Sequence, residues 1–182
     1  MLTDLLCGDD ACAEASLANI SPDDLPELIE LARSETPDTR WWALRAIATL
    51  PTAGAATPLL AAVSDPDPGV RSCAILALGQ RQESSAVPAL INCLKDSSEF
   101  VARLAADALE QIGQPAVPAL IEALKAADAP TRRLAARALA HLKDPSAIPA
   151  LFMALEDDSM FVSYWADEGL EKLGAGQVYF KP

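Results

Sequence analysis

Residues 65–96 read DPDPGVRSCAILALGQRQESSAVPALINCLKD, and this stretch decides the fold. It holds two short amphipathic helical patterns joined by polar residues. Asp-Pro and Asp-Ser pairs set it off from its neighbours. In its second half Val87, Leu90, Ile91 and Leu94 fall at i, i+3, i+4, i+7, the spacing of one buried helix face. Pro88 stands in the first turn of that helix, where its missing N–H would be unpaired in any case.

Variants of the stretch recur on both sides. Pro26, Pro58, Pro88, Pro118 and Pro149 are spaced 32, 30, 30 and 31 residues apart. The same apolar stripe follows as Val117, Leu120, Ile121, Leu124 and as Ile148, Leu151, Phe152, Leu155. First helices align from Thr39, Val70, Val101, Thr131 and Val162. Two slots in them are small throughout: Ala43, Ala74, Ala105, Ala135, Ala166, and Ala46, Ala77, Ala108, Ala138, Gly169. Asp65, Asp96, Asp128 and Asp158 precede the first helices and are placed to accept from their free N–H groups. A period near 31 with two helices per unit predicts an all-α solenoid, because no single unit can bury its own stripe.

We expect one domain over 1–182, with about five to six helix pairs. Residues 1–35 form an N-terminal acidic cap and first pair, 36–64, 65–95, 96–127 and 128–157 are repeat units, and 158–182 are a final helix and capping tail. The cap helix over residues 1–20 is expected to break near residues 7–10. In the tail, Val178, Tyr179 and Phe180 are expected to fold over the last unit.

The 182 residues are 51% hydrophobic but only 5% aromatic, so the core is built from Leu, Ala, Ile and Val. Net charge is −12, which opposes binding to phosphate backbones and anionic membranes. Residues 1–38 hold ten of the acids and one base, a local charge of −9, read as a solvated cap or as a docking surface for a basic partner. Of the four cysteines, Cys73 falls on an apolar face, and Cys7 and Cys12 have no second pair or nearby His to complete a zinc set. Free thiols, no basic leader-like N-terminus and no run of about 18 apolar residues lead to the expectation of a cytoplasmic protein.

The pattern DPDPxVRxxAxxALGxxxxxxAVPALxxxLxD in residues 65–96 resembles the short HEAT-like repeat of phycobilisome-lyase-type proteins. Units starting near 37, 96, 128 and 158 match more loosely. The resemblance implies an α-α superhelix, a HEAT-like solenoid, with second helices on a concave face and first helices on a convex one. It also implies a Val-Arg pair opening the first helix. Arg40, Arg71 and Arg132 hold that slot here, while Ala102 and Ser163 depart from it, and we read the arginines as pairing between repeats.

No catalytic constellation is visible. His141 is the one histidine, late in a helix, and the Asp pairs fall at helix starts. We therefore expect no metal and no cofactor. Four residues after each proline come Glu30, Ala62, Asn92, Glu122 and Met153, and Glu30, Asn92, Glu122 and Met153 are the candidate binding ridge on the concave face. Trp42 and Trp165 share a core slot in the first and last units, and Trp41 and Tyr164, one residue earlier, are candidate end-contact aromatics. The expected function is a non-enzymatic interaction scaffold or adaptor with a protein partner, binding neither nucleic acid nor membrane. The alternative implied by the resemblance is a phycobilin lyase or chromophore-detaching subunit. Homodimerisation through the ends is a third reading.

Overall fold

A computed structural model describes Leu5, residues 9–126 and residues 128–176, and every regular element among them is helical. The chain packs as two compact units, residues 1–81 and residues 82–182. The first contains α1 (Asp10–Ser16), α2 (Leu25–Leu31), α3 (Pro37–Thr49), α4 (Ala56–Ala62) and α5 (Pro68–Gln80). The second contains α6 (Val87–Cys93), α7 (Glu99–Ile112), α8 (Val117–Ala123), α9 (Ala129–Leu142), α10 (Ile148–Ala154) and α11 (Met160–Lys172). The fold is the helix-pair repeat that the period predicts.

Long first helices alternate with short second helices. In the first unit α3 packs on α5, and α2 and α4 lie against the long helix that follows each. In the second unit α7 packs on α9 and α9 on α11, α6 lies beside α8, and α6, α8 and α10 each pack on the next long helix. The small slots make these contacts. Ala43, Ala74, Ala105, Ala135 and Ala166 are completely inaccessible, and the second set is buried too. A Cβ added to Gly169 would come 3.2 Å from the Ala140 backbone and 3.1 Å from Leu151 Cδ1, so α9 and α11 meet almost backbone to backbone.

A third small slot escapes the periodic reading. A 3-10 turn leads into each of α4, α6, α8 and α10, and its last residue is Ala55, Ala86, Ala116 or Ala147. All four are fully buried. Their signal is the alanine before Val-Pro or Ile-Pro in three units. The exits are also periodic. Gln82, Gly113, Lys143 and Gly174 all have positive φ, in the turns that end α5, α7, α9 and α11. Only two of these are glycine, so Gln82 and Lys143 carry the strain of a left-handed side chain.

Two expectations change. The N-caps of α5, α9 and α11 are Asp67, Asp128 and Ser159. Asp65, Asp96 and Asp157 stand two residues ahead of a cap position and accept instead from the N–H of Asp67, Ser98 and Ser159. Of the four acids read as caps, Asp65, Asp96, Asp128 and Asp158, only Asp128 is one; Asp158 stands one residue ahead of the Ser159 cap and accepts from Arg132, because Asp-Pro-Asp, Asp-Ser-Ser and Asp-Asp-Ser each offer more than one oxygen-bearing candidate to one helix start. Trp42 and Trp165 are half-buried rather than core, since an indole is too large for the space left beside the alanine slots. At the N-terminus, α1 starts at Asp10 with Asp9 capping it. Residues 1–4 and 6–8, Ala127 and the proposed tail cap, with Val178, Tyr179 and Phe180, lie outside the described residues.

The slots yield a test. Ala105→Leu should lower stability by about 2 kcal/mol through overpacking. Gly169→Ala should also destabilise, although alanine is the better helix former by about 1 kcal/mol. Urea unfolding of both variants measures the effect; a Gly169→Ala gain would show that α9 and α11 are free to separate.

Candidate functional site

The four ridge candidates are all exposed. Asn92 on α6 and Glu122 on α8 hold equivalent places on helices packed side by side, and Met153 occupies that place on α10 with 81% of its surface accessible. Glu30 holds the place on α2, within the first unit. Around them, the repeated Leu28, Leu90, Leu120 and Leu151 are wholly buried. Two of the ridge carboxylates are engaged locally: Glu122 with Lys125 at 2.8 Å and Glu30 with Arg33 at 2.8 Å, both exposed pairs of small energetic weight.

The Val-Arg arginines bind repeat to repeat. Arg40 donates to both oxygens of Asp65 at 2.7 Å and to the carbonyls of Ser34 and Glu35. Arg132 does the same with Asp157, at 2.7 and 3.0 Å, and with the carbonyl of Ala126, and it also reaches Asp158. Arg71 donates to the carbonyls of Asp65 and Pro66. Each guanidinium thus closes the loop ahead of its own helix, and Arg40 and Arg132 also fix the loop of the following unit. Where the slot holds Ala102, the position two before the next cap is Ala126, so both halves of the pair are missing together. These arginines are structural.

A family model for HEAT repeats matches residues 25–110, 58–129 and 117–178. The chain belongs to the HEAT repeat family. Solved structures support the same fold. YibA of E. coli superposes with a TM-score of 0.61 at 21% identity, over 97% of this chain and 70% of that one. A designed armadillo repeat protein in complex with the peptide (KR)4 gives 0.54 at 19%, over 94% and 97%. A chain from the complex of CpcE and CpcF of phycocyanin lyase from Nostoc sp. PCC7120 gives 0.59 at 26%, over 85% of this chain and 66% of that one. No curated protein matches the chain in sequence.

Two further clusters lie on the long helices of these HEAT units. On α7, α9 and α11, Arg137 pairs with Asp107 and lies 3.5 Å from Glu110. His141 Nδ1 lies 2.9 Å from Glu110 Oε2, and its ring meets Trp165 edge to face at 5.5 Å. Burial pushes the Glu110 carboxyl above its ordinary value against the pull of His141 and Arg137. Trp165 in turn meets Tyr164 edge to face at 5.3 Å, and Tyr164 is 56% exposed. By sequence, His141 is only a lone histidine late in a helix, without this partner.

In the first unit, Trp41 and Trp42 meet edge to face with centroids 4.8 Å apart at 87°. They line a cavity of about 900 Å³ together with Leu5, α1 and the starts of α3 and α5. Sequence reasoning flagged Trp41 and the acidic cap separately and did not join them. No group of three or more His, Cys, Asp or Glu among the described residues is placed to hold a metal ion.

The ion pairs and thiols give two tests. Burial works to raise the Asp65 carboxyl, but the Arg40 guanidinium, the Asp67 N–H and the nearby Arg71 outweigh it and hold it below its ordinary 3.8. The bond from Arg132 does the same for Asp157. A carboxyl lowered in the fold stabilises above its unfolded value and loses that contribution as pH falls through its native value. Arg40→Ala should therefore cost about 3 kcal/mol at neutral pH, the scale of a buried pair losing one partner. The deficit should shrink when urea unfolding is repeated below the ordinary value of 3.8. The thiols differ by burial, which raises Cys73 to about 11. Cys12 is exposed while Cys73 and Cys93 are buried. Mass-spectrometric mapping with a thiol reagent at neutral pH should find Cys12 modified in the native protein, and Cys73 and Cys93 only after denaturation.

Proposed function

We propose that this HEAT repeat protein is a non-enzymatic interaction scaffold, holding a protein partner on the face of its short second helices, which the family resemblance makes the concave one. One observation carries the reading. Along α2, α6, α8 and α10 the buried positions repeat as leucine, while the exposed position four after each proline changes from Glu30 to Asn92, Glu122 and Met153. The constant positions make a platform, and the variable ones are where a partner is distinguished. Repeat proteins of similar fold hold a peptide or a second subunit, which supports a protein partner.

Affinity capture from the source cell tests this. The wild-type chain should retain a partner that the Glu30→Arg, Asn92→Arg, Glu122→Arg, Met153→Arg variant loses, with the circular dichroism of the two unchanged. Equal capture by both would remove the ridge from the function.

Likeness to a phycocyanin lyase chain at 26% identity favours a second reading, a subunit of a bilin-handling lyase. Mixing the protein with bilin and apo-phycobiliprotein should then change the absorption spectrum, and an unchanged spectrum would dispose of it. The exposed Met160, Phe161 and Tyr164 at the start of α11 also fit homodimerisation through that end. Light scattering showing monomer at all concentrations would count against a dimer.

A further inference from the structure

We infer that the Trp41–Trp42 cavity is a binding site for the Lys and Arg side chains of a basic peptide segment, separate from the second-helix ridge. The cavity is large enough for this use. About 900 Å³ is at the upper end for a single small ligand and gives room for more than one long side chain. Among the described residues its wall contains Asp9, Asp10, Glu14, Asp38 and Asp67 and neither a lysine nor an arginine. The two indoles stand nearly perpendicular, and both border the same space. Tryptophan is the strongest aromatic partner of an ammonium or guanidinium group. Two indoles that share a wall with carboxylates therefore attract a cation on an aliphatic stem, which lays its methylenes on the rings and its charge among the acids.

Other ligand classes fit the wall poorly. An anion meets five carboxylates. A neutral apolar ligand would desolvate them without replacing their hydrogen bonds. A bare metal ion lacks a converged donor set among the described residues.

The fold also leaves part of the charge unspent. Asp9 accepts from the Ala11 N–H, Asp67 from those of Gly69 and Val70, and Glu14 pairs with Arg45 at 2.7 Å. Asp10 and Asp38 are exposed and have no hydrogen bond or ion pair among the described residues. Around the site, residues 1–38 carry −9, a field that raises the encounter rate with a basic segment.

The experiment uses a fluorescein-labelled octapeptide of alternating Lys and Arg, titrated with the full chain and followed by anisotropy at low and moderate salt. We expect saturable one-to-one binding that weakens with salt. Asp10→Asn with Asp38→Asn should weaken it about tenfold. Asp23→Asn with Glu27→Gln, exposed acids of the same unit outside the cavity, should leave it within about twofold. Trp41→Leu should weaken binding and Trp41→Phe should restore most of it. Thermal melts identify which variants are folded, and the carboxylate pairs, being exposed, test the site even if a tryptophan variant unfolds. Equal losses from the two carboxylate pairs would mean a general acidic attraction and overturn the proposal. So would a folded Trp41→Leu protein that binds like wild type. A charge-neutral ridge variant, Asn92→Ala with Met153→Ala, should bind the octapeptide as wild type does, which keeps this result distinct from the fate of the scaffold reading.

Discussion

Everything in these units depends on how closely neighbouring long helices approach. The distance is set by side chains that are nearly absent. Five alanines in one register are wholly inaccessible, a second register is buried alanine ending in Gly169, and a third closes the turn before α4, α6, α8 and α10. Alanine loses no rotamer entropy on burial and favours helix, so close packing here opposes neither local preference nor chain entropy. Leucines of the short helices then fill what space remains. The low aromatic content follows from the same constraint, and so does the half-exposure of both paired tryptophans: a ring has no place between helices held apart only by methyl groups.

Close helices leave loops that must carry their own polar groups. The arginine opening α3 or α9 meets that need twice, by closing its own loop through carbonyls and gripping the next loop through an aspartate. That aspartate then receives a backbone N–H two residues on. The arrangement is an all-or-none device. With the guanidinium removed, a partly buried carboxylate is left behind, so the two residues are useful only as a pair. The simultaneous absence of acid and base at Ala102 and Ala126 agrees with this.

Legibility in the sequence followed repetition. Helix pairing, proline entry and the small slots could be read because each is written about five times, and chance does not align alanine at the same two places in every unit. The arginine pairing was legible for the same reason. Caps were misassigned because Asp65–Asp67 contains two residues able to accept and Asp157–Ser159 three, and the choice among them depends on which ones a distant guanidinium claims. The positive-φ exits at Gln82 and Lys143 gave no signal, since neither residue type advertises a left-handed turn. Least legible was the indole cavity. Its wall comes from Asp9–Glu14, Pro37–Trp42 and the Asp67–Gly69 turn, three stretches that the repeat itself does not relate.

That last failure follows from how such a chain divides its labour. Within a unit, positions facing the next helix are held to one or two residue types, so variation there is removed by packing. Positions facing water bear no such constraint, and the ridge changes from acid to amide to thioether without disturbing the leucines beside it. Large rings and concentrated charge, which the small slots cannot hold, stand outside those slots: Trp41 and Trp42 beside the acids of α1, Tyr164 and Trp165 on α11. Departure from the repeat is therefore informative in proportion to how strongly the repeat would have forbidden it. By that measure the paired tryptophans among carboxylates depart furthest of any feature in the first unit.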